Sequence, residues 1–141
     1  MKYEIEENTV SADDLLSLRQ SAGWRVFTRP QAQTALKSSL FTAAAVCEGR
    51  VIGMGRLVGD GVSVCYIQDL ILLPEYQGQG IGRALVERLL ARARERALPG
   101  TILTVGLFSA KGKEPFYRRL GFDGRPNEKK GAGMEKLLEI P

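Results

Sequence analysis

Apolar positions recur in two rhythms along the chain, and the change from one to the other marks its elements. "YEIEEN" alternates and predicts a first strand. "ADDLLSLRQSAG" follows as a helix. Ser11 is its N-cap, Asp13 and Asp14 sit in the first turn where the helix dipole favours acids, and Gly23 ends it. Pro30 opens a second short helix, "PQAQTALKSS". The stretch "LFTAAAVCEGRVIGMGRLVGDGVSVCYIQDLILLP" then holds apolar runs broken at Glu48-Gly49-Arg50 and at Gly59-Asp60-Gly61. Both breaks carry glycine turn chemistry, so the spacing predicts three strands in an antiparallel meander, the third ended by Pro74.

From Ile81 the period lengthens. Ile81, Leu85, Leu89 and Ala93 recur every four residues, with arginines on the opposite face, which predicts one amphipathic helix ended by Leu98-Pro99-Gly100. "TILTVGLFS" is short, apolar and β-branched and reads as a buried strand. "KEPFYRRLG" reads as a short helix with Gly121 as its C-cap. "GAGMEKLLEI" reads as a last strand, with a helix as the alternative, and "DGRPNEKKGAG" as a loop. The order of elements predicts an α+β fold built on a mixed sheet rather than a regular βαβ series.

A length of 141 residues predicts a single domain over 1–141, large enough to bury a core. No apolar run approaches the roughly 20 residues that span a bilayer, so no membrane partner is expected. The start, "MKYEIEENTV", lacks the features of a secretory signal. Cys47 and Cys65 lie in apolar stretches without metal-ligand spacing and read as reduced core residues, with a disulfide as the alternative. A cytoplasmic protein is therefore expected. The net charge of +4 suits either nucleic acid or an anionic cofactor. No helix-turn-helix or aromatic RNA-binding signature accompanies it, so nucleic acid is not expected. The sequence contains no histidine, which excludes a histidine triad, a histidine zinc site and a histidine general base. No metal is expected.

Gly78, Gly80 and Gly82 stand directly before the long helix. Such a turn brings backbone N–H groups and the positive end of a helix dipole to an anion, commonly a phosphate. The alternative is a tight turn with no ligand. A Walker loop is rejected because Gly82 is followed by Arg83-Ala84 in place of Lys and Ser or Thr. A dinucleotide fingerprint is rejected because its third glycine would fall on Arg83.

"QGQGIG", residues 77–82, matches the pattern Q/R-x-x-G-x-G/A and is preceded by "LILLPEY". Downstream, "FYRRLGF", residues 116–122, matches FYxxxGF. With both motifs in order, the sequence resembles the GNAT superfamily of acyl-CoA-dependent N-acetyltransferases, most strongly over residues 40–122. The resemblance implies a GNAT-like three-layer fold, with a mostly antiparallel central sheet splayed at the cofactor strand and flanked by helices. It implies acetyl-CoA as cosubstrate. The backbone of Leu70, Ile71 and Leu72 would pair with the pantetheine arm. Amides of Gln77, Gly78, Gln79, Gly80, Ile81 and Gly82 would cradle the pyrophosphate. Phe116 and Tyr117 would lie beside the thioester, with Arg119 near the cofactor phosphates. The Leu72 amide would serve the oxyanion and the Tyr117 hydroxyl would protonate the thiolate. The alternative for Tyr117 is a core aromatic. Many relatives carry an Asn before the FY pair where this chain has Ser109-Ala110, which removes a side-chain contact to pantetheine but leaves the backbone cradle.

An alkylamine acceptor arrives protonated, since its pKa is about 10.4. Without histidine, carboxylates are the obvious proton acceptors. Asp69 precedes the cofactor strand end, and sugar-amine acetyltransferases of the superfamily carry an acidic pair there, of which Gln68-Asp69 keeps half. Asp69 has three readings: a substrate ligand, a base acting through water, or a strand cap. Gln68, Asp69 and Trp24 are the candidate acceptor-binding residues, with core packing as the alternative for Trp24. Arg56 and Asp60 read as exposed charges flanking a hairpin turn, and residues 125–133 as a loop either folded over the acceptor or left in solvent. The expected activity is transfer of an acetyl group from acetyl-CoA to a primary amine, favouring a small molecule, by direct attack in a ternary complex. Alternatives are a protein or peptide N-acetyltransferase and a non-catalytic CoA-binding regulatory module. A homodimer through a sheet edge or the C-terminal strand is expected by resemblance.

Overall fold

Two reciprocal capping boxes start the N-terminal helices. The Ser11 hydroxyl accepts from the Asp14 N–H at 3.0 Å while Asp14 accepts from the Ser11 N–H at 2.9 Å, and α1 runs over Ala12–Ser21. Thr28 and Gln31 repeat the device, with Pro30 in the first turn, to start α2 at Arg29–Lys37. The structure, a computed structural model, describes residues 2–141. It divides into two compact units, Met1–Leu107 and Phe108–Pro141.

The first unit holds a five-stranded sheet in the order β1-β2-β3-β4-β5. Its strands are β1 (Glu4–Glu7), β2 (Phe41–Cys47), β3 (Arg50–Gly59), β4 (Val64–Leu72) and β5 (Thr104–Gly106). The first four are antiparallel and β5 joins β4 in parallel. The turn after β3 is held by Asp60, whose Oδ1 accepts from the N–H groups of Val62, Ser63 and Val64. Its Oδ2 accepts from the Ser63 hydroxyl, and these bonds, led by that of Ser63, hold the carboxyl well below the usual carboxylate range.

α3 (Ile81–Arg96) lies across β2, β3 and β4, and buries Ile81, Leu85, Val86, Leu89 and Ala93. Two glycines of β3 make room for it. A Cβ at Gly53 would stand 3.4 Å from Leu85 Cδ1, and one at Gly55 2.8 Å from Leu89 Cδ1. Successive residues of a strand face opposite ways. Arg56, next to Gly55, accordingly reaches the other face, where α1 and α2 pack. The result is the three-layer α+β arrangement expected, with the splayed side of the sheet at β4 and β5.

Two expectations fail. "TILTVGLFS" keeps only three residues in β5, and "GAGMEKLLEI", residues 131–140, forms neither the strand nor the helix expected. The second unit has one helix, α4 (Glu114–Arg119), ended by Gly121 at φ 93° as predicted. Cys47 and Cys65 are both free and buried. No described helix is long and apolar enough to cross a membrane.

Candidate active site

The geometry of the site begins with a one-residue slip in the β3–β4 ladder. Leu57 pairs with Ile67 and Arg56 with Gln68, but Met54 pairs with Ile71 and Gly53 with Leu72. Gly55 therefore faces two residues, Asp69 and Leu70, which is a β-bulge. Asp69 takes φ 52°, a left-handed conformation uncommon outside glycine but tolerated best by Asp and Asn.

The bulge decides which amides face outward. In an antiparallel ladder, alternate residues turn both backbone groups toward the partner. At the hairpin the Asp60 N–H donates to the Val64 carbonyl, so even-numbered β4 residues face β3 below the bulge. Above it the Leu73 N–H donates to the Ile52 carbonyl, so odd-numbered residues face β3. Leu70 and Leu72 thus turn their backbone groups away from β3. On that side β5 pairs only with Val64, Cys65 and Tyr66, which leaves the strand end splayed within this unit.

A 3-10 turn (Pro74–Tyr76) leads from the strand end toward α3. The Gln77 side-chain amide donates to the Leu72 carbonyl at 3.1 Å and ties the two segments together. Gly78 and Gly80 take φ 78° and 81°, and a Cβ at either would meet nothing within 4 Å. Their need for glycine is conformational, and space around them is open. Gly80 is the N-cap of α3 and supplies no side-chain cap, so the first-turn N–H groups of a 16-residue helix face the exposed segment 77–80. Gly82 lies inside the helix and is not among the left-handed residues. The turn before α3 therefore uses two of the three glycines for backbone shape.

Asp69 is not on an open surface. Its side chain is fully buried, with Oδ1 accepting from Arg19 Nη1 at 2.5 Å and Oδ2 from Arg56 Nε at 2.9 Å. Arg56 also donates to the Ala35 carbonyl and the Ser39 hydroxyl of the α2 end. Arg19 donates from Nε and Nη2 to the Arg25 carbonyl, and its guanidinium lies 3.7 Å from the Phe27 ring centroid and 5.6 Å from that of Trp24. This corrects the reading of Arg56 as an exposed turn charge; it is 7% exposed, whereas Asp60 is exposed as predicted. Trp24 and Gln68 are half-buried, Trp24 against Arg19 and Gln68 opposite Arg56 in the ladder. Arg19 was not among the predicted residues. Its signal was the spacing Leu15, Leu18, Arg19, which puts a cation on the apolar stripe of α1.

In the second unit, Tyr117 is half-buried and meets Phe116 and Phe122 edge-on, with centroids 5.0 and 5.9 Å away. Burial pushes its hydroxyl pKa above the ordinary phenol value. Arg119 is exposed on α4. Among the described residues, no group of three or more acidic or thiol side chains is arranged to hold a metal.

The family model described as the acetyltransferase (GNAT) family matches residues 10–122. The chain is 34% identical to the histone acetyltransferase TAP1 of Glycine max over 133 residues, covering 86% of this chain and 56% of that one. It is 34% identical over 89 residues to the chloroplastic serotonin N-acetyltransferase 2 of Oryza sativa subsp. japonica, covering 63% and 42%. The chain thus spans about half the length of these plant relatives. Among solved structures, a GNAT-family acetyltransferase from Streptococcus pneumoniae superposes with a TM-score of 0.79 at 32% identity, over 99% of this chain and all of that one. A probable acetyltransferase of unknown function from meticillin-resistant Staphylococcus aureus superposes with a TM-score of 0.84 at 29% identity, over 97% and 100%. The open helix N-terminus, the splayed strand and these likenesses agree: the chain belongs to the GNAT family of acetyltransferases.

Proposed function

We propose that the chain transfers an acetyl group from acetyl-CoA to the primary amine of a small molecule, by direct attack while both are bound. One observation carries this reading: a single unit joins an uncapped helix N-terminus to a strand end whose outward backbone groups lack a neighbouring strand. The helix end suits a pyrophosphate, because its N–H groups and dipole both favour an anion. The strand end suits an amide-bearing arm, which adds to an open edge through main-chain hydrogen bonds. Acetyl-CoA has both parts, and when bound it supplies an activated thioester. In this reading residues 77–82 hold the pyrophosphate and the outward backbone groups of Leu70 and Leu72 hold the pantetheine, whereas those of Ile71, expected to share in it, are turned into β3.

The Leu72 N–H, turned away from β3, is the donor for the carbonyl oxygen as it gains charge. Tyr117 holds its proton through the neutral range and is the proposed proton donor to the thiolate. Asp69 is closed off by two guanidiniums, so the amine loses its proton to water rather than to this carboxylate. The primary-amine acceptor is supported by the rice relative, since serotonin carries a primary alkylamine.

The test is release of free CoA thiol from acetyl-CoA against a panel of amino sugars, polyamines, arylalkylamines, amino acids and short peptides. At least one small amine is expected to speed release in a saturable way. Acetyl-CoA binding with no acceleration by any amine would overturn catalysis, and acceleration by peptides alone would overturn the small-molecule acceptor.

A further inference from the structure

We propose that Asp69 is a positioning residue: with Arg19 and Arg56 it clamps the β4 bulge, and the clamp aims the Leu70 and Leu72 amides at the cofactor. This rests on the acetyl-CoA reading for its function, although the clamp itself is a matter of backbone geometry.

Three observations converge. The ladder changes parity between Gln68 and Ile71, and without the extra residue Leu70 and Leu72 would turn their N–H groups into β3. The extra residue holds a left-handed φ in mid-strand, a conformation that persists only when its surroundings over-determine it. Those surroundings are the two guanidiniums, both nearly closed from solvent, one from α1 and one from β3. Each oxygen of the carboxylate has its own cation, so neither is open to an amine.

The clamp also reaches the acceptor side. Arg19 fixes the carbonyl of Arg25 and stacks on Phe27, both in the connector between α1 and α2. Arg56 fixes Ala35 and Ser39 at the end of α2. One carboxylate thereby ties that helix pair to the strand that presents the outward amides.

Asp69→Ala removes both the carboxylate and the tolerance for φ 52°, whereas Asp69→Asn keeps the size and the backbone tolerance. Arg56→Lys keeps the charge but lacks the fork that reaches Asp69 and the α2 end together. Each variant is to be titrated with acetyl-CoA by calorimetry well below its melting midpoint, and the amide resonances of Leu70 and Leu72 followed in 15N-labelled protein. In Asp69→Ala, acetyl-CoA affinity is expected to fall about tenfold or more, with Leu70 and Leu72 displaced and Leu85 and Leu89 in place. Asp69→Asn keeps the left-handed backbone but has one acceptor oxygen for two guanidiniums, so it and Arg56→Lys are expected to fall between the parent and Asp69→Ala. Parent affinity and parent Leu70 and Leu72 resonances in a folded Asp69→Ala or Arg56→Lys protein would overturn the clamp. If the parent protein itself fails to bind acetyl-CoA, the proposed function falls, while the two amide resonances still decide the bulge.

Discussion

Gly80 and Tyr117 are single residues whose roles can be separated by substitution. A Cβ at Gly80 meets no neighbour, so Gly80→Ala carries conformational strain alone, about 1–2 kcal/mol for a left-handed residue. A lower melting midpoint with acetyl-CoA still bound is the expected outcome. Gly80→Glu adds bulk and a negative charge beside the open N–H groups, and is expected to abolish acetyl-CoA binding in a calorimetric titration. Tyr117→Phe is expected to lower kcat by about 100-fold or more while changing acetyl-CoA affinity little. Burial raises the folded-state pKa of Tyr117, so its protonated form is the favoured one. The associated stability is full below the unfolded value of about 10 and is lost as pH rises through the folded value. A difference in tyrosinate absorbance between parent and Tyr117→Phe should accordingly appear only above that value.

Most elements were legible because their signals are local. Ser11 caps as its side chain allows, Pro30 stands in the first turn of α2, the hairpins turn at the expected glycines, and α3 follows its four-residue rhythm. The last element, read over residues 131–140 as a strand with a helix as the alternative, was not, because a short apolar pattern fits either and guarantees neither. Whether a strand forms depends on a partner strand. The length of β5 fails for the same reason. Arg56 shows the limit within an element: a charge near a turn glycine reads as exposed, and only the distant Asp69 and α2 explain its burial. Gly53 and Gly55 set how closely α3 approaches β3. Gly55→Val would drive a side chain into Leu89 and Leu70, and is expected to destabilise by about 1–3 kcal/mol. A urea midpoint shifted at unchanged slope checks it.

For the whole molecule, a net charge of +4 and an exposed helix N-terminus both favour an anionic ligand. Acetyl-CoA affinity is therefore expected to weaken severalfold between low and high salt, as screening shortens to a few ångströms. An affinity flat across that range would assign the binding to apolar contacts. The resemblance gave the family, but could not give the clamp, since Arg19 comes to the Arg56–Asp69 pair from α1, 50 residues before Asp69.

The missing cap on α3 has a thermodynamic side. A helix end without a side-chain partner is where a long helix frays first. An anion bound there replaces the missing cap, so occupancy and folding stability become linked quantities. Free acetyl-CoA at about 100 times its Kd should add about 2.7 kcal/mol to unfolding. A melting midpoint that climbs with ligand concentration, together with slowed hydrogen exchange at Ile81, Gly82 and Arg83, would make the first turn of α3 a built-in gauge of cofactor supply.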